Sequence, residues 1–187
     1  MSSPATKMAV YEDLHDIPEN MVGEILDGEL IVTPRPSARH ASAAFGLSSE
    51  LGPPYRFGRG DGPGGWIILF EPELRLADHV VVPDLAAWKR ERLPAPPEEN
   101  WISVTPDWVC EILSPSTVRV DKIRKMPIYA EHGIPSLWLI DPLSKTLDVF
   151  RLETGRWFLL GSYLEDDRVR AEPFHEVEIE LRNLWWG

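Results

Sequence analysis

One acidic residue interrupts an apolar run of the sequence. Glu111 sits between Cys110 and Ile112 in WVCEIL, Trp108–Leu113. An ionised carboxylate is costly to bury unless a partner or a metal faces it. Side chains alternate across a strand, so Val109, Glu111 and Leu113 share one face and Trp108, Cys110 and Ile112 the other. Upstream, Asp84 follows Pro83 at the start of another apolar run, LAAW. A Pro-Asp on one strand and a Glu on the next bring two carboxylates to one edge of a sheet. Such a pair suits Mg²⁺ (or Mn²⁺), which takes one or two hard oxygen ligands and leaves the rest of its shell to water and substrate phosphate. Asp84 and Glu111 are therefore the candidate metal ligands. The chemistry is activation of water against a phosphodiester, with a nearby lysine to orient the water or stabilise the transition state.

The expected lysine is displaced. The spacing matches a nuclease pattern of Pro-Asp then Glu-x-Lys, but Leu113 stands where the lysine belongs. The next candidates, Lys122 and Lys125, fall on the helix that follows. Asp121, Lys125 and Tyr129 are four apart and share one helical face, while Ile123, Met126 and Ala130 form an apolar stripe. Lys125 aims back at Glu111 when the helix docks through that stripe; Lys122 is the weaker candidate. Each residue also has a plainer reading. Glu111 is then a strand glutamate paired with Lys125 or Arg119, Asp84 a turn residue, Asp121 a helix cap or an i,i+4 partner of Lys125, Tyr129 packing and Cys110 core.

The elements that must position these groups are readable in outline. Val22–Thr33 alternates around Asp27-Gly28, a type I′ turn signal, and predicts a β-hairpin carrying Glu24. Ala38–Leu51 reads as a helix with His40 near its start, and residues 52–65 as a Gly- and Pro-rich loop. WIILFEPELRLA predicts one long strand bent near Pro72, and VVVPDLAAW the next. Residues 89–106 form a charged surface excursion. The helix spans Thr117–His132 and stops at Gly133; Pro127 predicts a kink or a start delayed to Met126. SLWLID, TLDVFRL and RWFLLGSY form a meander, followed by EVEIEL and NLWWG. The expected fold is α/β (α+β): one domain over residues 1–187 with a mixed sheet, flanking helices and a loose tail over residues 1–7.

Composition narrows the class. At 187 residues with 43% apolar content, the chain has enough material for a real core. One cysteine excludes an internal disulfide and a cysteine zinc cluster. No apolar run suits a signal peptide or a membrane span, so the expectation is a cytoplasmic protein. A net charge of −11 argues against nonspecific nucleic-acid binding. It does not exclude a nuclease, since carboxylates that hold metal are negative in that count. Basic residues recur near the candidate site, at Lys89, Arg90, Arg92, Arg119, Lys122, Arg124 and Lys125.

The ordered run E-I-L-S-P-S-T-x3-D-x3-K-x3-Y-x3-G-I-P-x-L-W-L-I-D-P resembles the signature of the Uma-two family, within the PD-(D/E)XK restriction-endonuclease-like superfamily. GEILDGELIVTP, the helix bearing His40, and VVVPDLAAW resemble that family too, so the likeness extends from about Gly23 to Pro142. The resemblance implies a restriction-endonuclease-like fold and a metal-dependent phosphodiesterase site acting on nucleic acid, expected to be DNA. It implies Asp84 and Glu111 as metal ligands and Lys125 as the displaced lysine, with Glu24 and His40 at recurrent polar positions. Cutting both strands of a duplex predicts a symmetric homodimer, its interface expected at the acidic, Trp-ended tail. The alternative class is a nuclease-fold module that binds nucleic acid or protein without cleaving.

Overall fold

The computed structural model describes residues 8–186, so the loose tail expected over residues 1–7 lies outside the described residues. A short 3-10 helix, Tyr11–Asp16, leads into β1 (Met21–Leu26) and β2 (Glu29–Pro34), the expected hairpin. Its turn residues, Asp27 and Gly28, both have positive φ (53° and 74°), as a type I′ turn requires. The helix α1 then runs over Ala38–Leu51, and the chain turns through a π-helical segment, Gly52–Arg56, within the expected loop.

Next come β3 (Trp66–Phe70), β4 (Leu74–Leu76), β5 (His79–Val81) and β6 (Leu85–Lys89). The sequence predicted two long strands here, and the structure corrects both. WIILFEPELRLA is divided between two sheets, β3 in one and β4 in the other, and VVVPDLAAW is divided in the same way between β5 and β6. Glu71 has a φ of 44°, outside the range of a strand. Pro72 and Pro83 lack the N–H that a ladder needs. Glu71 N donates to Asp84 O at 2.9 Å, so the two breaks lie side by side. The chain changes sheets twice at one place.

The central strand β7 (Trp108–Ile112) is followed by the helical run α2 (Val118–Val120), a π turn over Asp121–Lys125, and α3 (Met126–Glu131). The run divides as Pro127 predicts: α3 starts only at Met126, with Pro127 in its first turn. The missing Pro127 N–H coincides with the end of the wider π turn, which absorbs the lost i→i−4 bond. Gly133, with φ 70°, stops the helix as expected. The meander follows as β8 (Ser136–Asp141), β9 (Thr146–Glu153) and β10 (Arg156–Leu164). The two-residue strands β11 (Arg168–Val169) and β12 (Ile179–Glu180) and a 3-10 turn, Leu181–Leu184, close the fold.

The sheet orders are β10-β9-β8-β7-β6-β3 and β2-β1-β5-β4, with β11-β12 a separate pair. The large sheet is antiparallel except for β7 and β8, which run parallel because a helical crossover joins them. Its two faces are both covered. Trp108, Cys110 and Ile112 pack with Trp66, Trp138, Phe174 and the buried side of α1. Trp108 meets Phe174 and Trp138 at ring-centroid distances of 5.0 and 5.3 Å. Val109 and Leu113 point the other way, toward Tyr129, Ile128 and the small sheet's Leu26 and Val81. Burying each such side chain stabilises the fold by about 1.5–3 kcal/mol. Glu111 shares that second face. At the C-terminus Trp185 joins the first core and donates Nε1–H to Glu165 O, while Trp186 stays exposed. Among the described residues no helix is long and apolar enough to cross a membrane.

Candidate active site

The break between β5 and β6 builds the first half of the site. The β6–β7 ladder ends at the pair Leu85 and Cys110. Beyond it a side chain takes over from the backbone: Ile112 N donates to Asp84 Oδ2 at 2.6 Å. Asp84 therefore stands at the edge of β7 beside Glu111. Its other oxygen, Oδ1, lies 3.0 Å from His40 Nε2. His40 is placed by the start of α1, where Ser37 caps the helix by accepting from His40 N at 3.3 Å. The remaining ring nitrogen, His40 Nδ1, is buried and has no hydrogen-bond partner.

The second half comes from the crossover. Lys125 Nζ lies 2.8 Å from Glu111 Oε1, 3.1 Å from Glu24 Oε1 and 3.9 Å from Asp121 Oδ1. It also donates to Val82 O at 3.0 Å, while Val82 N donates to Glu24 Oε1 at 2.8 Å. The two backbone groups of Val82, left without ladder partners by the strand break, are thus closed by Glu24 and Lys125. Tyr129, one helical turn past Lys125, donates its hydroxyl to Glu111 Oε1 at 2.5 Å.

Charge in this cluster is unbalanced. Glu24, Asp84, Glu111 and Asp121 face one lysine and one histidine, and most of the group is buried. Burial pushes the Glu111 carboxyl well up; Lys125 opposes the shift, and Asp121, Asp84 and Glu24 add to it. Burial likewise raises Asp121 to about 6 against the pull of Lys125. For Lys125, burial favours loss of the proton, but Glu111, Glu24 and Asp121 outweigh it and hold the ammonium charged. Burial and the neighbouring Glu111 push the Tyr129 phenol up, so its hydroxyl keeps its proton and stays a donor. Burial lowers His40, yet Asp84 more than offsets this and leaves it above its ordinary value.

Five of the six candidates from the sequence meet here: Glu24, His40, Asp84, Glu111 and Lys125 all line one cavity of about 350 Å³. Lys122 does not; it is exposed on the helix and absent from the cavity wall. Tyr129, read from the sequence as packing, bonds directly to the central carboxylate. Its spacing of four from Lys125 was the signal. Of the two readings of Asp121, the structure has the i,i+4 partner of Lys125.

The donor set suits a hard divalent cation. Asp84 and Glu111 offer oxygens to one cavity, and the excess of carboxylates leaves room for positive charge. Among the described residues no three His, Cys, Asp or Glu side chains converge into a ready-made cage. The protein would supply two ligands and leave the others to water and substrate, the usual pattern for Mg²⁺.

Comparison with known proteins bears on the fold and the family. The chain is similar over 92% of its length to 95% of a protein from Anabaena variabilis ATCC 29413, whose crystal structure at 1.96 Å is described as that of "a putative nuclease belonging to DUF820". The two share 25% sequence identity with a TM-score of 0.72. No curated protein matches the chain. A family model described as "Putative restriction endonuclease" matches residues 8–183, and the chain belongs to that family, Uma2.

Proposed function

We propose that this protein is a divalent-metal-dependent nuclease that hydrolyses phosphodiester bonds of DNA. The observation that carries the reading is the position of Lys125: its ammonium reaches Glu111 from a different element, supplying what Leu113 cannot. Asp84 and Glu111 would hold Mg²⁺ or Mn²⁺. When bound, the cation supplies Lewis acidity at the phosphoryl oxygens and makes water a better nucleophile. The chain's own groups do the positioning. His40 orients the Asp84 carboxylate through Oδ1, and Tyr129 orients Glu111 through Oε1. Lys125, whose N–H groups go to Glu111, Glu24 and Val82 O, acts there through its positive charge, which favours the attacking water and the negative charge developing on the phosphoryl oxygens.

A second reading has its own observation. Glu24 and Lys125 bond the backbone of Val82, so part of the cluster has a structural duty that an inactive binding module would keep. A cleavage assay separates the two. Purified protein is incubated with plasmid and single-stranded DNA in Mg²⁺ or Mn²⁺, beside Glu111→Ala. The nuclease reading expects at least about 10²-fold loss in the variant; equal rates on every substrate sink it.

A further inference from the structure

The site lies too deep, and its rim carries too little free positive charge, for the backbone of an intact duplex. Glu111, Lys125, Glu24 and His40 are only 2%, 3%, 4% and 6% exposed. A phosphate can approach them only by entering the cavity of about 350 Å³, at the low end of ligand pockets (roughly 300–1,000 Å³). Two short loops wall it: Arg35, Pro36 and Ser37 between β2 and α1, and Ser114, Pro115 and Ser116 after β7. Proline fixes φ in both, so neither rim yields easily. A duplex is a stiff rod with a persistence length of about 50 nm. Its phosphates ride on a convex surface and cannot drop singly between such rims. An unpaired strand bends at each nucleotide and can.

Charge points the same way. Duplex binding commonly rests on roughly 6–10 phosphate contacts by Lys and Arg. The cavity wall has Lys125 at its floor and Arg35 at its rim, and Arg35 already lies 3.6 Å from Glu71. Of the basic residues that cluster near the site in sequence, Arg90, Arg119 and Lys122 are exposed and outside the cavity wall, and three others are engaged elsewhere. Arg124 binds Asp27, Glu29 and Leu26 O, Arg92 binds Asp107, and Lys89 sits 3.9 Å above the Trp66 ring. Much of the wall between is apolar or uncharged, as with Val22, Thr33, Val82 and Val120, and suits sugar and base better than a row of phosphates.

We infer that the substrate is an unpaired DNA strand, threaded into the cavity one phosphodiester at a time, and that intact duplex is excluded. This rests on the nuclease reading above. An unpaired substrate also needs only one site, which removes the reason for expecting a dimer.

The test uses the whole protein with Mn²⁺ on three substrates: an end-labelled oligonucleotide, the same strand in a blunt, GC-clamped duplex, and bis(p-nitrophenyl) phosphate. The single strand is expected to be cut more than tenfold faster than the duplex. A ratio below ten overturns the inference and leaves the nuclease reading standing. Hydrolysis of the small ester without cleavage of either DNA also overturns it. If none of the three is turned over, the nuclease reading fails and the inference falls with it. Binding gives a second readout in the metal-free protein, by anisotropy. With about two cations engaged, affinity for the single strand should fall about sevenfold between 50 and 200 mM salt. A fall of a thousandfold marks a duplex-sized footprint and overturns the inference.

Discussion

Lys125 Nζ lies 2.8 Å from Glu111 Oε1, although the two residues belong to different elements and Leu113 occupies the place just past β7 from which a lysine would ordinarily reach. Leu113 is itself buried against the small-sheet side of the core. The ammonium arrives instead from the crossover helix.

Replacing that ammonium by an uncharged chain of similar length isolates its electrostatic part. Lys125→Met leaves Glu24 and Glu111 buried without their cation, an expected loss of about 3–5 kcal/mol in urea unfolding. The double variant Lys125→Met, Glu24→Gln should recover part of it. A single-variant loss below about 1 kcal/mol would show that the pair is not coupled as described.

Tyr129→Phe removes one oxygen from the buried face of Glu111. The core keeps its ring, so the expected cost is about 1–3 kcal/mol from the unsatisfied carboxylate. Turnover should fall about tenfold in kcat with KM little changed, because the hydroxyl positions Glu111 and does not touch substrate. A change confined to KM contradicts that role.

Stability should respond to pH through Asp121. Its folded value, about 6, lies above the ordinary 3.8, so the folded state holds the proton more tightly. This contribution is fully present below pH 3.8 and is lost as pH rises through 6. Between pH 4 and 7 the wild type should therefore lose roughly 2–3 kcal/mol relative to Asp121→Asn, measured by chemical denaturation at each pH. Parallel curves for the two proteins would exclude it.

Removing metal should stop cleavage without unfolding the chain. The fold carries its own cation at the site, Lys125, and so needs no metal to neutralise Glu24 and Glu111. With excess EDTA the melting temperature is expected to stay within about 3 °C of the untreated protein, while activity on DNA disappears. A collapse of the melting transition would mean that metal is part of the fold.

What could be read in the sequence depended on how local its cause was. The hairpin followed from Asp27-Gly28 and α1 from its composition, because a turn or a helix is decided within a few residues. The Glu111 face followed from strict alternation in β7. The sheet changes at Glu71 and Val82 were marked only by Pro72 and Pro83, and a proline signals a bend without saying that the chain leaves its sheet. Apolar alternation continues on both sides of each break, and only pairing with distant strands decides which sheet a segment joins. The π turn at Asp121–Lys125 was equally silent, although Pro127 signalled that something must give. Tyr129 was visible as a neighbour of Lys125 on the helix face, but its bond to Glu111 depends on how the helix docks.

The closing of Val82 by Glu24 and Lys125 bears on how such a site would change over generations. A lineage that gave up catalysis would still be penalised for losing either residue, since the sheet crossing would be left with bare backbone groups. Their persistence in a descendant would report on folding. The hydrogen bonds of Glu111 run to side chains alone, Tyr129 and Lys125, which can change together with it as the backbone of Val82 cannot. It is the residue whose drift would first betray a retired enzyme.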